Sequence, residues 1–131
     1  MKYLLDTDTL IDYIKDHGNS RARLDALIES GDEVGLCAVT VGEIYSGLAK
    51  EARAPWEQWL RALPYWHIGI NAAIRAGIYR KTASESGRTL AITDALLAGL
   101  AYQQNATVLT SNIKDYPMKD VRMLSLREPA A

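Results

Sequence analysis

Short apolar runs alternate with longer amphipathic segments along this chain, and the alternation predicts a parallel sheet covered on both faces by helices, the α/β class. Tyr3-Leu4-Leu5 reads as the first strand. Helices are expected over about residues 9–15 and 20–30, the second with Leu24, Leu27 and Ile28 on one face and Gly31 closing it. Residues 35–39 read as the second strand, after which Thr40 opens a helix through Lys50 whose apolar face is Val41, Ile44, Tyr45 and Leu48. Pro55 suits the first turn of the next helix, which reaches about Leu63 and carries Trp56 and Trp59 into the core. A short strand at 67–70 follows Pro64, with His67 a satisfied core group. Asn71 caps a helix to about Ser86 that Gly87 ends, and Thr93 caps another over about 94–104. That helix is apolar nearly all round, which places it in the middle of the molecule. Residues 107–110 and 121–126 supply two more strands, separated by a short polar loop and followed by a frayed Pro-Ala-Ala end.

Composition adds exclusions. At 131 residues, with 48% hydrophobic and 24% charged positions, the chain is expected to be one globular domain over 1–131. The longest near-continuous apolar stretch, 95–101, is far short of the ~20 residues a membrane span needs, and residues 1–15 lack a signal pattern, so a cytoplasmic protein is expected. The single Cys37 and the scattered His17 and His67 make no disulfide or zinc cluster. Cys37 lies in the apolar run 34–39 and reads as a buried small hydrophobe. With 15 basic against 16 acidic groups there is no global cationic field, so any nucleic-acid contact must be local.

The acidic residues are informative by position. Asp6 follows the first strand directly, with Asp8 two residues on; Glu43 lies one turn after the second strand; Asp94 opens the buried helix; Asn112 and Asp115 follow the strand at 107–110. In an open parallel sheet the carboxyl ends of the strands face one edge, where ligands bind. Each residue also has a plain structural explanation. Asp6 or Asp8 serves as an N-cap, Thr40 and Glu43 fit a capping box, Asp94 suits a helix dipole, and Asn112 and Asp115 fit a single turn before Pro117. Capping does not explain why four strand ends should all deliver acids to one edge. Two carboxylates ~5 Å apart repel by about 3 kcal/mol at an effective dielectric of about 20. Such a cluster therefore wants a cation, and an all-oxygen set suits Mg²⁺ or Mn²⁺. No His-Ser dyad or Gly-rich phosphate loop competes.

Four segments together carry a family resemblance: residues 5–13 (LDTDTLIDY), Thr40-Val41-Gly42-Glu43-Ile44 with Gly47, residues 93–98 (TDALLA) with Ala101, and residues 110–116 (TSNIKDY). The sequence resembles PIN-domain proteins of the VapC toxin type over nearly its whole length. The resemblance implies a three-layer sandwich with a central parallel sheet of four to five strands. It further implies a homodimer, an Mg²⁺- or Mn²⁺-dependent endoribonuclease activity, and silencing by a VapB-type antitoxin. Carried over by position, the acidic quartet falls on Asp6, Glu43, Asp94 and Asp115. Asp6 and Asp94 are the direct ligands, Glu43 and Asp115 stand closer in or further out, and Asn112, Thr7 and Thr110 are the supporting polar groups. Asp8 departs from the Asn often found there, and its role, ligand or local hydrogen bond, stays open. Tyr116 replaces a common Phe, a volume-conserving change expected to matter little. Arg88 and Lys114 are the expected contacts to the RNA backbone. Two alternatives have different signatures: a receiver-like signalling domain needs an acid ending its third strand, which 67–70 lacks, and an inactive RNA-binding PIN module is at odds with the intact acid set.

Overall fold

The computed structural model describes residues 1–127. Its first strand, β1 (Lys2–Leu5), alternates its side chains between two cores: Tyr3 and Leu5 enter one, Leu4 the other. β2 (Glu33–Gly35) and β3 (Thr107–Leu109) pair in parallel on either side of β1, so that Tyr3 lies opposite both Val34 and Thr107. β4 (Met123–Leu124) extends the sheet beyond β3. The order β2-β1-β3-β4 reverses direction between β1 and β3, and a parallel sheet opens a crevice beyond the carboxyl ends of its strands at such a point.

Helices cover both faces, as the alternation predicts. α1 (Thr7–Lys15), α2 (Ser20–Glu29), α3 (Ala38–Gly47) and α4 (Lys50–Arg61) send Leu10, Leu24, Ile44 and Leu60 onto Tyr3, Leu5, Val34 and Leu109. α5 (Ile70–Glu85) and α6 (Ile92–Gln104) cover Leu4 and Val108 on the opposite face. α6 is the central helix its composition demands, with Ala95 and every residue from Leu97 to Ala101 buried. Its Gly99 lets α5 approach so closely that an added Cβ would meet the Ala72 carbonyl. That contact fixes the depth at which α6, and the acid in its first turn, sits.

Several local expectations are corrected. The second strand ends at Gly35, and residues 38–39 begin α3; the run is apolar throughout, so hydrophobicity alone cannot place the switch from strand to helix. Thr40 lies inside that helix and makes no capping box: its hydroxyl donates to the Leu5 carbonyl at 2.7 Å, docking α3 on the end of β1. Pro55 falls within α4 rather than at its start. The strand expected at 67–70 does not form; a single bridge joins Leu36 and Tyr65, and His67 is exposed with its ring edge-on to Tyr65. α5 starts after Gly69 and α6 after Ala91, so Asn71 and Thr93 lie inside the first turns they were expected to cap. Gly87 ends α5 as expected, taking φ +75° and allowing the Arg88 amide to reach the Ala83 carbonyl at 2.9 Å. Trp56 and Trp59 are half-buried against the α1 to α4 core, with Trp59 stacked on Tyr13 at 4.5 Å. The expected Pro-Ala-Ala end lies outside the described residues. Among the described residues no helix is long and apolar enough to cross a membrane.

Candidate active site

The edge beyond the carboxyl ends of β1 and β3 receives residues that leave those two strands and residues from α3 and α6. Asp6 follows β1 in an extended conformation and caps α1, its Oδ1 accepting from the Thr7 amide at 2.7 Å. The capping explanation is therefore true of one oxygen only. The other, Oδ2, accepts from the Tyr116 hydroxyl at 2.8 Å, with both residues buried. Burial raises the Asp6 pKa above the ordinary carboxylate value, outweighing the hydrogen bonds that favour its charged form.

Asp94 enters from the first turn of α6, its Oδ1 3.5 Å from the same Tyr116 hydroxyl. It is half-buried, and its pKa is pushed up to about 6 by burial first and then by the charges of Asp6, Asp115 and Glu43. The other three acids of the expected quartet thus lie within electrostatic reach of Asp94. Glu43 reaches the site from α3, where its Oε1 accepts from the Thr7 hydroxyl at 2.8 Å. Asp115 ends a short 3-10 turn (Ile113–Asp115) and is exposed; Asn112, before that turn, makes no side-chain cap to it.

Asn112 instead donates from Nδ2 to Asp8 Oδ2 at 3.1 Å, and the structure gives Asp8 a clear place. Its carboxylate accepts from the amides of Thr9 at 2.8 Å and Ser111 at 2.9 Å, and from the Ser111 hydroxyl. Asp8 ties the start of α1 to the segment leaving β3, the segment that carries Asp115 and Tyr116. The Thr110 hydroxyl, fully buried behind it, stands 3.4 Å from Asp8 Oδ1 and accepts from the Asn112 amide at 3.1 Å. Arg88 and Lys114 lie exposed beside this edge, the Arg88 guanidinium donating to the Lys114 carbonyl at 2.8 Å. A carbonyl neutralises no charge, so both cations remain available to an anion. Cys37 is buried ahead of α3 and its thiol is pushed up by burial, the inert small hydrophobe its setting implied.

Tyr116, whose hydroxyl was expected to matter little, and Ser111, which was given no role, both bond the acids of the site. The signal for Tyr116 was present: a buried tyrosine hydroxyl needs a partner, and this one stands next to Asp115 in the sequence. Among the described residues no three acidic, His or Cys side chains stand close enough to form a finished metal cage. The donor set still fits a hard cation. Mg²⁺ keeps several of its waters and is commonly held by one or two carboxylates, and Asp6 and Asp94, which meet at one Tyr116 hydroxyl, are an all-oxygen pair of that kind.

Residues 3–121 match the family model of the PIN domain. Ribonuclease VapC19 of Mycobacterium tuberculosis is 24% identical over 115 residues, 88% of this chain and 92% of that one. Ribonuclease VapC2 of Rickettsia felis is 24% identical over 121 residues, 88% and 90% of the two chains. Among solved structures, VapBC2 from Rickettsia felis, bound to a DNA fragment from its promoter, superposes with a TM-score of 0.83 at 20% identity, covering 95% of this chain and 98% of the other.

Proposed function

The chain belongs to the PIN-domain family, and from that premise we propose that it is an endoribonuclease toxin of the VapC type, hydrolysing RNA phosphodiester bonds with Mg²⁺ or Mn²⁺ at the edge formed by Asp6, Glu43, Asp94 and Asp115. The observation that carries the site assignment is the meeting of Asp6 Oδ2 and Asp94 Oδ1 at one Tyr116 hydroxyl, with Asp115 and Glu43 near enough for their charges to raise the Asp94 pKa, a convergence that helix capping does not require. The receiver-like alternative is not the family that residues 3–121 match.

Asp6 and Asp94 would hold the cation. When bound, it supplies an activated water and neutralises charge on the phosphoryl oxygens. Glu43, held by the Thr7 hydroxyl, and Asp115, on its short turn, would complete the ion's surroundings, one of them orienting that water. Arg88 and Lys114 offer their charges to the RNA backbone flanking the acids. Attack by water leaves the RNA 2′-hydroxyl unused, so the products carry a 5′-phosphate and a 3′-hydroxyl.

The partner reading follows the same electrostatics. A VapB-type antitoxin that lays an Arg or Lys across the acidic edge relieves the same repulsion a divalent ion does, so its binding competes with Mg²⁺. A homodimer is supported by Ile70, Ile74 and Ile78, spaced one turn apart on α5 and 74%, 54% and 56% exposed, an apolar stripe a second copy would cover. A toxin that cuts the RNA of its own cell would act in the cytoplasm. The test is RNA cleavage by the purified protein in Mg²⁺ or Mn²⁺ with analysis of the new ends. Loss of activity in EDTA and 5′-phosphate ends support the reading; undiminished cleavage in excess EDTA, or 2′,3′-cyclic ends, overturns it.

A further inference from the structure

Tyr116 packs its ring in the core shared with α5 and α6, where a phenylalanine would fill the same space, so the ring does not account for the hydroxyl. The hydroxyl stands between two carboxylates, 2.8 Å from Asp6 Oδ2 and 3.5 Å from Asp94 Oδ1. A phenol has one proton to give, and the shorter contact commits it to Asp6. With the Thr7 amide on Oδ1, both oxygens of Asp6 are then held by donors from separate elements. We infer that Tyr116 is a positioning residue for cation binding: its buried hydroxyl fixes the Asp6 carboxylate beside Asp94, so that the pair is arranged before a divalent ion arrives. The inference rests on the nuclease reading above.

Without the hydroxyl, the Asp6 carboxylate keeps the Thr7 amide and the weaker Thr110 hydroxyl but loses its strongest side-chain donor on the side of Asp94, and repulsion from Asp94 and Asp8 favours turning it away. A cation must then restore the arrangement at the expense of its own affinity. Partners that orient metal-binding side chains typically change metal affinity by about 10–100-fold when removed. Burial and the neighbouring carboxylates hold the phenol well above its ordinary pKa, so it remains a donor throughout the working range.

The experiment is a Mn²⁺ titration, followed by the loss of the free-ion EPR signal, of the native protein and of Tyr116→Phe. The inference expects native Mn²⁺ binding that weakens about tenfold or more in Tyr116→Phe, with RNA cleavage by the variant recovering toward the native rate as Mn²⁺ is raised. Equal affinities would overturn it and leave the nuclease reading standing, as would tighter binding by the variant, which would mean the hydroxyl competes with the ion. A native protein that takes up no Mn²⁺ overturns both. A second measurement does not depend on the variant's folding. In native protein carrying ¹³Cζ-tyrosine, the Tyr116 resonance should move when Mg²⁺ is added, and a resonance unmoved at saturation contradicts the inference.

Discussion

Asp94→Asn should make the metal-free protein more stable at pH 8, the opposite of what loss of an acid that merely suits a helix dipole would do. The folded-state pKa of Asp94 is about 6 against an ordinary 3.8, so the native state binds the proton more tightly than the unfolded chain does. Stability contributed by this group is greatest when both states are protonated. It falls as pH rises from about 4 to about 6, and the full penalty persists above that. The interval from 3.8 to about 6 corresponds to about 3 kcal/mol. Asp94 is only half-buried, and solvent screening at the rim reduces this to about 1–2 kcal/mol. Asparagine keeps the shape and removes the charge, so it relieves most of that penalty. For a domain of this size the gain is about 4–8 °C in melting temperature. Thermal melts in EDTA at pH 8 and pH 4 test the argument, with the variant's advantage expected at pH 8 and nearly gone at pH 4. Saturating Mg²⁺ should reverse the order, since native protein gains about 2.7 kcal/mol at 100 times the dissociation constant. A variant no more stable than native at pH 8, or one whose advantage is the same at pH 4, would refute the electrostatic account. Removing a stabilising first-turn acid would instead cost about 0.3–1 kcal/mol.

Three further substitutions probe the scaffold of the site. Asp8→Asn leaves one acceptor oxygen where the Thr9 amide, the Ser111 amide and hydroxyl, and Asn112 Nδ2 all donate, so urea denaturation should report a loss of about 1–3 kcal/mol. Gly99→Ala drives a methyl group into the Ala72 carbonyl and should cost about 1–3 kcal/mol in the same assay, by forcing α5 and α6 apart. Thr7→Val removes the hydroxyl that holds Glu43, so RNA cleavage should fall about tenfold while the melting temperature stays near native.

Much of this was legible in the sequence because burial writes itself into composition. β1 and β3 are apolar runs bounded by polar residues, and α6 is apolar through its middle because Ala95 and Leu97 to Ala101 are buried there. Asp6 and Asp115 were visible because strand ends in a parallel sheet share an edge, whereas Asp94 follows no strand and reaches that edge from the first turn of α6, and Glu43 from within α3. What escaped was set by contacts across the fold. Residues 36–39 are as apolar as a strand, yet α3 begins among them because the Thr40 hydroxyl docks on Leu5. The apolar character of 67–70 reflects packing of Ile68 against the α5 and α6 core rather than pairing in the sheet. Asp8 and Tyr116 are single letters whose partners lie about a hundred residues away, at Ser111 and Asn112 for the one and Asp6 for the other. Spacing cannot reveal such pairs, and a volume argument treated the tyrosine hydroxyl as if it were absent.

The central claim is that Asp6 serves a cation and not only a helix end. Asparagine in its place still offers an oxygen to cap α1 but loses the charge a divalent ion needs. The direct measurement is the initial rate of RNA cleavage in saturating Mg²⁺ by native protein and by Asp6→Asn, each confirmed folded by circular dichroism. A fall of more than about 100-fold is predicted, whereas a folded Asp6→Asn that cuts RNA at the native rate would return the residue to its cap and contradict the account.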